Sequence, residues 1–478
     1  MKQRLAILQI NDLHGYIEPH PELVRSGDGD RFQTLGGLAR IATAVEQVRE
    51  EMDGATLLLD NGDTFHGTYV AVQSKGEAMV PLMNALAPDA MTVHWEFAYG
   101  PAQVQRLGAQ LSYPILAINC YRNQGELFFQ PYRMVEKGGL RIAVIGIACN
   151  IVDKTMPPAF SEGLYFTLGR DELPSWIAHV REHEAAELVV VLSHLGFPQD
   201  VKLASEVGGI DVLVSGHTHN RMEAPVIQNG AIIFQSGCHG SFLGRLDLEI
   251  DDGVITAHHH RLIAIDEQFA PHEGVQQQVE AAMAPHRAML SEVVGHTGHA
   301  LSRYQSLHCS MDDLLLGAIA AAAGTDIAFS NGWRYGAPVP PGPITLNDLW
   351  NIIPTNPPVE TVELTGDEMR TMLEENLERT FSTNAYEQMG GYVKRCRGLK
   401  LFAKIENPPG SRVDRLFVLG EPVDPERTYQ VAFVTAQGVP HRFGRNRKKL
   451  GICAVDALRQ YLQRAATGAR DDCSVIAV

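Results

Sequence analysis

Aspartate and histidine recur in this chain in short groups that follow apolar runs, a placement suited to gripping metal ions. Asn11-Asp12-Leu13-His14 puts two donors one residue apart just past a strand-like run, so both can point to one side and hold one ion. Alone, such a triplet is more often a solvated loop. In Asp60-Asn61-Gly62-Asp63-Thr64-Phe65-His66-Gly67, Gly62 lets the backbone turn sharply so that Asp63 faces inward. One carboxylate has two oxygens, so Asp63 could bridge two ions; the plainer reading is an Asp-Gly turn. Val93-His94-Trp95-Glu96-Phe97-Ala98-Tyr99-Gly100 and Ser193-His194-Leu195-Gly196 add further donors. Ser215-Gly216-His217-Thr218-His219-Asn220 is the strongest group, because His-Thr-His after an apolar strand and a glycine is hard to explain as core packing. Oxygen and imidazole donors suit divalent Mn, Zn, Fe or Co.

These groups need strands to deliver them. Leu5–Ile10, Thr56–Asp60, Ile115–Ile118, Leu140–Ile145, Leu188–Leu192 and Asp211–Ser215 read as buried strands. Leu38–Met52 and Trp176–Glu187 have helical spacing. Residues 1–265 therefore form an α/β domain whose strands feed loops at their C-terminal ends. Residues 266–295 read as a linking segment with a polar helix over Glu273–Leu290, which Pro285 would kink or split. Residues 296–478 start again with mixed helix and strand.

Composition narrows the partners. A chain of 478 residues exceeds what one core usually serves, and its net charge of -16 argues against nucleic-acid polymers and anionic membranes. A small anionic substrate stays compatible, since bound metal dominates the local field. No stretch approaches the roughly 20 apolar residues of a membrane span. The first motif is reached by Asp12, which leaves no room for a signal peptide. The expectation is a cytoplasmic protein, or a periplasmic one if a leader was removed. Seven cysteines, including Cys120, Cys149, Cys238 and Cys473, form no CxxC pair and read as scattered thiols.

Taken in order, Asp-x-His, Gly-Asp, a His-containing loop, Ser-His-Leu-Gly and Gly-His-x-His resemble the signature of calcineurin-like metallophosphoesterases. Leu192–His219, with Gly-Gly-Ile-Asp-Val-Leu-Val-Ser before Gly-His-Thr-His, is closely similar to the 5'-nucleotidase family. The resemblance implies a four-layer α/β/β/α metallophosphoesterase domain and a smaller α+β C-terminal substrate-binding domain. It implies two divalent ions, one on Asp12, His14 and His219, the other on His94, His194 and His217, bridged by Asp63. Family members read Gly-Asn-His-Glu-Phe-Asp where this chain has Val93 to Ala98. His94 thus replaces a ligand Asn, while Trp95 and Ala98 replace the His that aids the leaving group and the Asp that orients it. His66 then stands as an alternative proton donor beside His94, against its reading as a surface-loop residue. The His-Trp-Glu-Phe and Trp333-Arg334-Tyr335-Gly336 segments resemble the sulfate thiohydrolase branch of the sulfur-oxidation system.

Residues 296–478 resemble the 5'-nucleotidase C-terminal domain through Ser330-Asn331-Gly332-Trp333-Arg334, Gly342–Leu349, Val362–Gly366 and Gly390-Gly391-Tyr392. In that family the domain supplies arginines to the anionic group and aromatics to the base. Arg334 is the candidate for the first role, and Trp333, Tyr392 and Phe443 for the second. The loops at Pro354–Pro357 and Gln437–Phe443 depart from the family pattern. His258-His259-His260 reads as a solvated strand edge. The implied function is metal-dependent hydrolysis of a nucleotide or related small phosphate. A thiosulfonate-type hydrolase and a metal-containing binding protein without turnover are the alternatives.

Overall fold

A computed structural model describes residues 2–27, 29–464 and 474–478. These divide into two compact units, residues up to Val24 with Gln33–Pro285, and Arg25–Phe32 with His286–Val478. Cys473 lies outside the described residues.

Two sheets make the centre of the first unit. One has five strands in the order Val254–Ala264, Phe242–Asp251, Lys2–Ile10, Thr56–Asp60, Ala90–Met91. The other has six, in the order Val226–Gln228, Ala231–Phe234, Val212–Ser215, Leu188–Ser193, Leu140–Ile147, Tyr132–Lys137. Successive side chains on a strand face opposite ways, and here both faces are covered, so the central strands are apolar throughout. Leu5, Ile7, Leu57 and Leu59 of the first sheet share one core with Val144, Val190, Leu192, Val214 and Phe234 of the second. The alternate residues Ile145, Val189, Val191 and Leu213 pack with Leu173, Ile177, Val180 and Leu203 of the flanking helices. The layers are α/β/β/α.

The inner strands run parallel, Lys2–Ile10 beside Thr56–Asp60 and Leu188–Ser193 beside Val212–Ser215. Their ends lie in register, with Ile10 opposite Asp60, Asp60 opposite Met91, and Ser193 opposite Ser215. The loops that carry Asp12, Asp63, His94, His194 and His217 therefore leave the sheets at one level, outside the carboxyl ends of the strands.

Three elements differ from the sequence expectation. Ile115–Ile118 is buried but forms no strand. Its backbone bonds in turn to Met91, Gln130 and Gly146, which leaves isolated bridges and no continuous ladder. The helix expected over Trp176–Glu187 spans Leu173–Glu182. Pro174 sits in its first turn, where a missing N–H costs nothing, and the chain turns away at Ala185 with φ 52°. The helix Glu273–Leu290 runs on through Pro285 as one element.

The second unit has a five-stranded sheet (Arg395–Arg397, Ala328–Ser330, Thr428–Phe433, Pro358–Thr365, Arg445–Cys453) and a four-stranded one (Glu421–Pro422, Val413–Val418, Leu399–Ala403, Val475–Ala477). Its core joins Val362, Val431, Leu401 and Leu416 to Met369, Leu373 and Leu377 of the helix Gly366–Phe381. Thr365 and Glu368 close a capping box at that helix's start. Among the described residues, no helix is long and apolar enough to cross a membrane.

Among the described glycines of the first unit, Gly146 has the least room, for a Cβ there would lie 2.3 Å from the Leu116 carbonyl oxygen. Gly146→Ala should cost about 1–3 kcal/mol by overpacking, read as a lowered melting temperature. An unchanged melting temperature would contradict this packing.

Candidate metal centre

Most of the strand ends deliver their donors through a strained backbone. Asp12, His14, Asp63, His217 and His219 all have positive φ, between 46° and 72°. His94 sits at φ -154° and ψ -81°. Such conformations cost about 1–3 kcal/mol each and cluster at functional sites. Glycines let the loops close on one another: a Cβ on Gly67 would lie 2.5 Å from the His14 carbonyl oxygen, and one on Gly62 would lie 2.6 Å from that of Thr92.

The result is two buried donor groups that share one residue. Asp63, His94, His194 and His217 form the first, and Asp12, His14, Asp63 and His219 the second, with ligand atoms within 4.8 Å of one another in each. The structure thus brings together every residue that the sequence nominated as a metal ligand. The His94, His194 and His217 rings lie 4.9–5.3 Å apart. His194 Nε2 is 3.3 Å from Asp63 Oδ2, and His219 Nε2 is 3.3 Å from Asp12 Oδ1.

Tautomers show that this arrangement fits a cation. His194 Nδ1 lies 2.5 Å from the Asn61 carbonyl oxygen, and His14 Nδ1 lies 3.1 Å from that of His66. A carbonyl only accepts, so each Nδ1 carries the hydrogen and each Nε2 of the neutral ring turns a lone pair inward. Those lone pairs face Asp63 Oδ2, at 3.3 Å for His194 and 3.6 Å for His14. Lone pair against carboxylate is repulsive unless positive charge lies between, as a proton on the ring or as a metal ion. Burial opposes protonation of His194, yet the Asp63 and Asp12 carboxylates raise its pKa to about 9. Burial lowers the pKa of His14 to about 4 against the pull of Asp63, so this ring is a neutral donor. Backbone acceptors that fix ring orientation in this way are usual behind metal-bound histidines.

A second set of polar residues, not nominated from the sequence, holds the loops. Glu96 accepts from the backbone N–H of Thr64 (2.7 Å), His94 (2.8 Å), Asp63 (3.3 Å) and Phe65 (3.3 Å), tying the second loop to the third. Trp95 donates its N–H to Asp63 Oδ1 at 2.7 Å. Gln9 Nε2 donates to Asn61 Oδ1 and the Ser215 carbonyl, while Asn61 Nδ2 donates to the Ser193 and Val214 carbonyls. Ser193 and Ser215 hydroxyls both donate to Asp200. The upper ends of the two sheets are stitched together under the donors. Gln9 had a legible signal, a lone polar residue inside an apolar strand, which is tolerated only when hydrogen-bonded.

Comparison with known proteins agrees with this geometry. The calcineurin-like phosphoesterase family model matches residues 5–221, and the 5'-nucleotidase C-terminal domain model matches residues 293–435. The chain belongs to the calcineurin-like phosphoesterases, in their two-domain 5'-nucleotidase form. It is a hydrolase of that family. The trifunctional nucleotide phosphoesterase YfkN of Bacillus subtilis is 26% identical over 80% of this chain, which spans 29% of that protein's length. A snake venom 5'-nucleotidase of Naja atra is 25% identical over 91% of this chain and 90% of its own. The solved sulfate thiohydrolase SoxB of Thermus thermophilus superposes with a TM-score of 0.91 at 26% identity, covering 99% of this chain and 96% of its own.

The departures from the family pattern can now be placed. Trp95 is buried and lies flat on His66, ring centroids 4.8 Å apart at 7°. His66 is not a surface residue. It is buried, with Nδ1 3.2 Å from the Tyr99 hydroxyl, and burial followed by the neighbouring His14 lowers its pKa to about 3. His94 lies with the donors, its Nδ1 3.2 Å from Asp63. Among the described residues of the second unit, Arg334 and Tyr392 come together, the guanidinium 5.3 Å over the ring. Trp333 is buried beside Tyr335 and under Arg303, and Phe443 belongs to the hydrophobic core. Arg303 and Arg395 share Asp312, at 2.9 and 3.1 Å and buried. The Arg395 guanidinium also approaches the Tyr392 ring, to 5.6 Å. The sequence reading did not single out this triad. His258 and His259 are exposed on the strand Val254–Ala264, and His260 packs on Phe234.

Glu96→Ala would strand several buried N–H groups, each costing about 1–3 kcal/mol. We expect weaker metal binding and a melting temperature lowered by several degrees. Wild-type metal affinity in that variant would show that Glu96 does not set the loops.

Proposed function

We propose that the chain hydrolyses small phosphoesters, nucleotides or related small phosphates, with a pair of divalent ions bridged by Asp63. The carrying observation is the pair of buried donor groups that share that carboxylate. Asp12, His14 and His219 would hold one ion, and His94, His194 and His217 the other. Bound there, divalent ions supply the Lewis-acid charge that phosphoester hydrolysis requires. The chain's own part is to keep the His14 and His194 lone pairs turned inward and to hold Asp63 through the Trp95 amide. In the second unit, Arg334 and Tyr392 are the proposed contacts for an anionic group and its attached ring. Names of the relatives support the substrate class: one is a nucleotide phosphoesterase and another a 5'-nucleotidase.

One observation favours a second reading. Where the family has a histidine for the leaving group, this chain has an indole stacked on a neutral imidazole. A leaving group that departs as a stable anion, such as a thiolate, needs no proton. The likeness to a sulfate thiohydrolase supports that alternative.

A panel of nucleotides, cyclic nucleotides and simple phosphate esters, with Mn, Zn, Co or Mg added, separates the two. The proposal predicts phosphate release that Asp63→Ala abolishes. Silence on the panel with sulfate released from a thiosulfonate adduct would transfer the assignment to sulfur chemistry. In the double variant Trp95→His with Ala98→Asp, hydrolysis of esters with poor leaving groups should rise, toward the ~10²–10⁴-fold typical of a general acid. No rise would show that leaving-group protonation does not limit the reaction.

A further inference from the structure

Beside the Asp12, His14 and His219 donors lies a third buried cluster that the proposed chemistry does not use. His20, Glu22 and His239 offer ligand atoms within 4.8 Å of one another. By residue type this could be another cation site, but the Glu22 carboxylate is already engaged. Arg221 Nη2 lies 2.7 Å from Oε1, the Leu23 amide donates to the same oxygen at 2.8 Å, and the Ser241 hydroxyl donates to Oε2 at 2.8 Å. A metal ion there would face a guanidinium across the same carboxylate. Ser241 carries the link onward, since His20 Nε2 lies 3.1 Å from its Oγ.

His239 looks toward the metal centre. Its ring lies 5.9 Å from that of His14, 6.1 Å from that of His219, 4.5 Å from that of Tyr16 and 5.9 Å edge-on from that of His20. Its backbone N–H donates to the Asp12 carbonyl at 2.8 Å, and its φ is 60°. One residue thus touches all three ligands that belong to this donor group alone. Near the other donor group, the ring beside His94 is Trp95, stacked on His66.

We propose that His20, Glu22 and His239 form a positioning cluster for the Asp12–His14–His219 metal position. The Arg221–Glu22–Ser241 chain fixes His20, and His20 with Tyr16 fixes His239. His239 in turn holds the Asp12 backbone and the His14 and His219 rings in their ligating orientation. This rests on the two-ion reading above. Its consequence is a difference between the two positions: the affinity of one depends on the cluster and that of the other does not.

Calorimetric titration of the metal-free full chain with Mn tests this. Wild type should bind in two steps. Glu22→Gln and His239→Ala should each weaken one step by about 10–100-fold, the usual effect of losing an outer partner of a metal ligand, and leave the other step unchanged. A merely structural role would loosen both steps together. If His239→Ala does not fold, Ser241→Ala cuts the link between Glu22 and His20 with little change in volume and carries the same expectation. Two wild-type steps that the variants weaken equally, or not at all, would overturn the positioning role. A third wild-type step lost in Glu22→Gln would also overturn it, by making the cluster a metal site. A single wild-type step would overturn the two-ion reading itself, and this inference with it.

Discussion

Asp63 is a carboxylate shut away from water with imidazole nitrogens on several sides. His14 and His194 turn their Nε2 atoms toward it, because backbone carbonyls occupy their other nitrogens. Burial alone would push the Asp63 carboxyl up, yet facing His94 and His194 hold it well below the usual carboxylate range. An arrangement of this kind is stable only if positive charge enters it. The fold's hydrogen bonding therefore calls for positive charge at this point, which a proton on His194 or a bound divalent ion can supply.

Much of the first unit follows from holding that arrangement. The donors come from both sheets, so the sheets must meet at a fixed height, and the Gln9–Asn61 network ties their upper ends through the Ser193, Val214 and Ser215 carbonyls. The left-handed backbone at Asp12, His14, Asp63, His217 and His219 is costly, and it persists because surrounding structure over-determines it. That surrounding structure is the shared apolar core between the sheets together with Glu96, which gathers the amides of two loops on one carboxylate. Packing energy is spent on strain at the site.

The donors were legible in the sequence because each follows an apolar run, and the runs fold as strands whose ends align. His94 was legible only by alignment to a family motif, since His-Trp-Glu-Phe has no spacing of its own that marks a ligand. What stayed hidden depends on contacts between distant segments. Glu96 serves residues some 30 positions away, Glu22 answers Arg221, and Asp312 is shared by Arg303 and Arg395. No local pattern announces such pairings. Rings were the least predictable: Phe443 and Trp333 looked suited to stacking on a base and are buried, while His66 looked like a loop residue and is buried under Trp95. An aromatic residue's type does not say which side of a surface it lies on.

The central claim is that one carboxylate, Asp63, belongs to two cation positions at once. Electron paramagnetic resonance of the fully Mn-loaded wild-type protein tests it most directly. Two Mn(II) ions joined through a shared carboxylate should give an exchange-coupled spectrum. A spectrum of isolated, uncoupled Mn(II) at full loading would contradict the account.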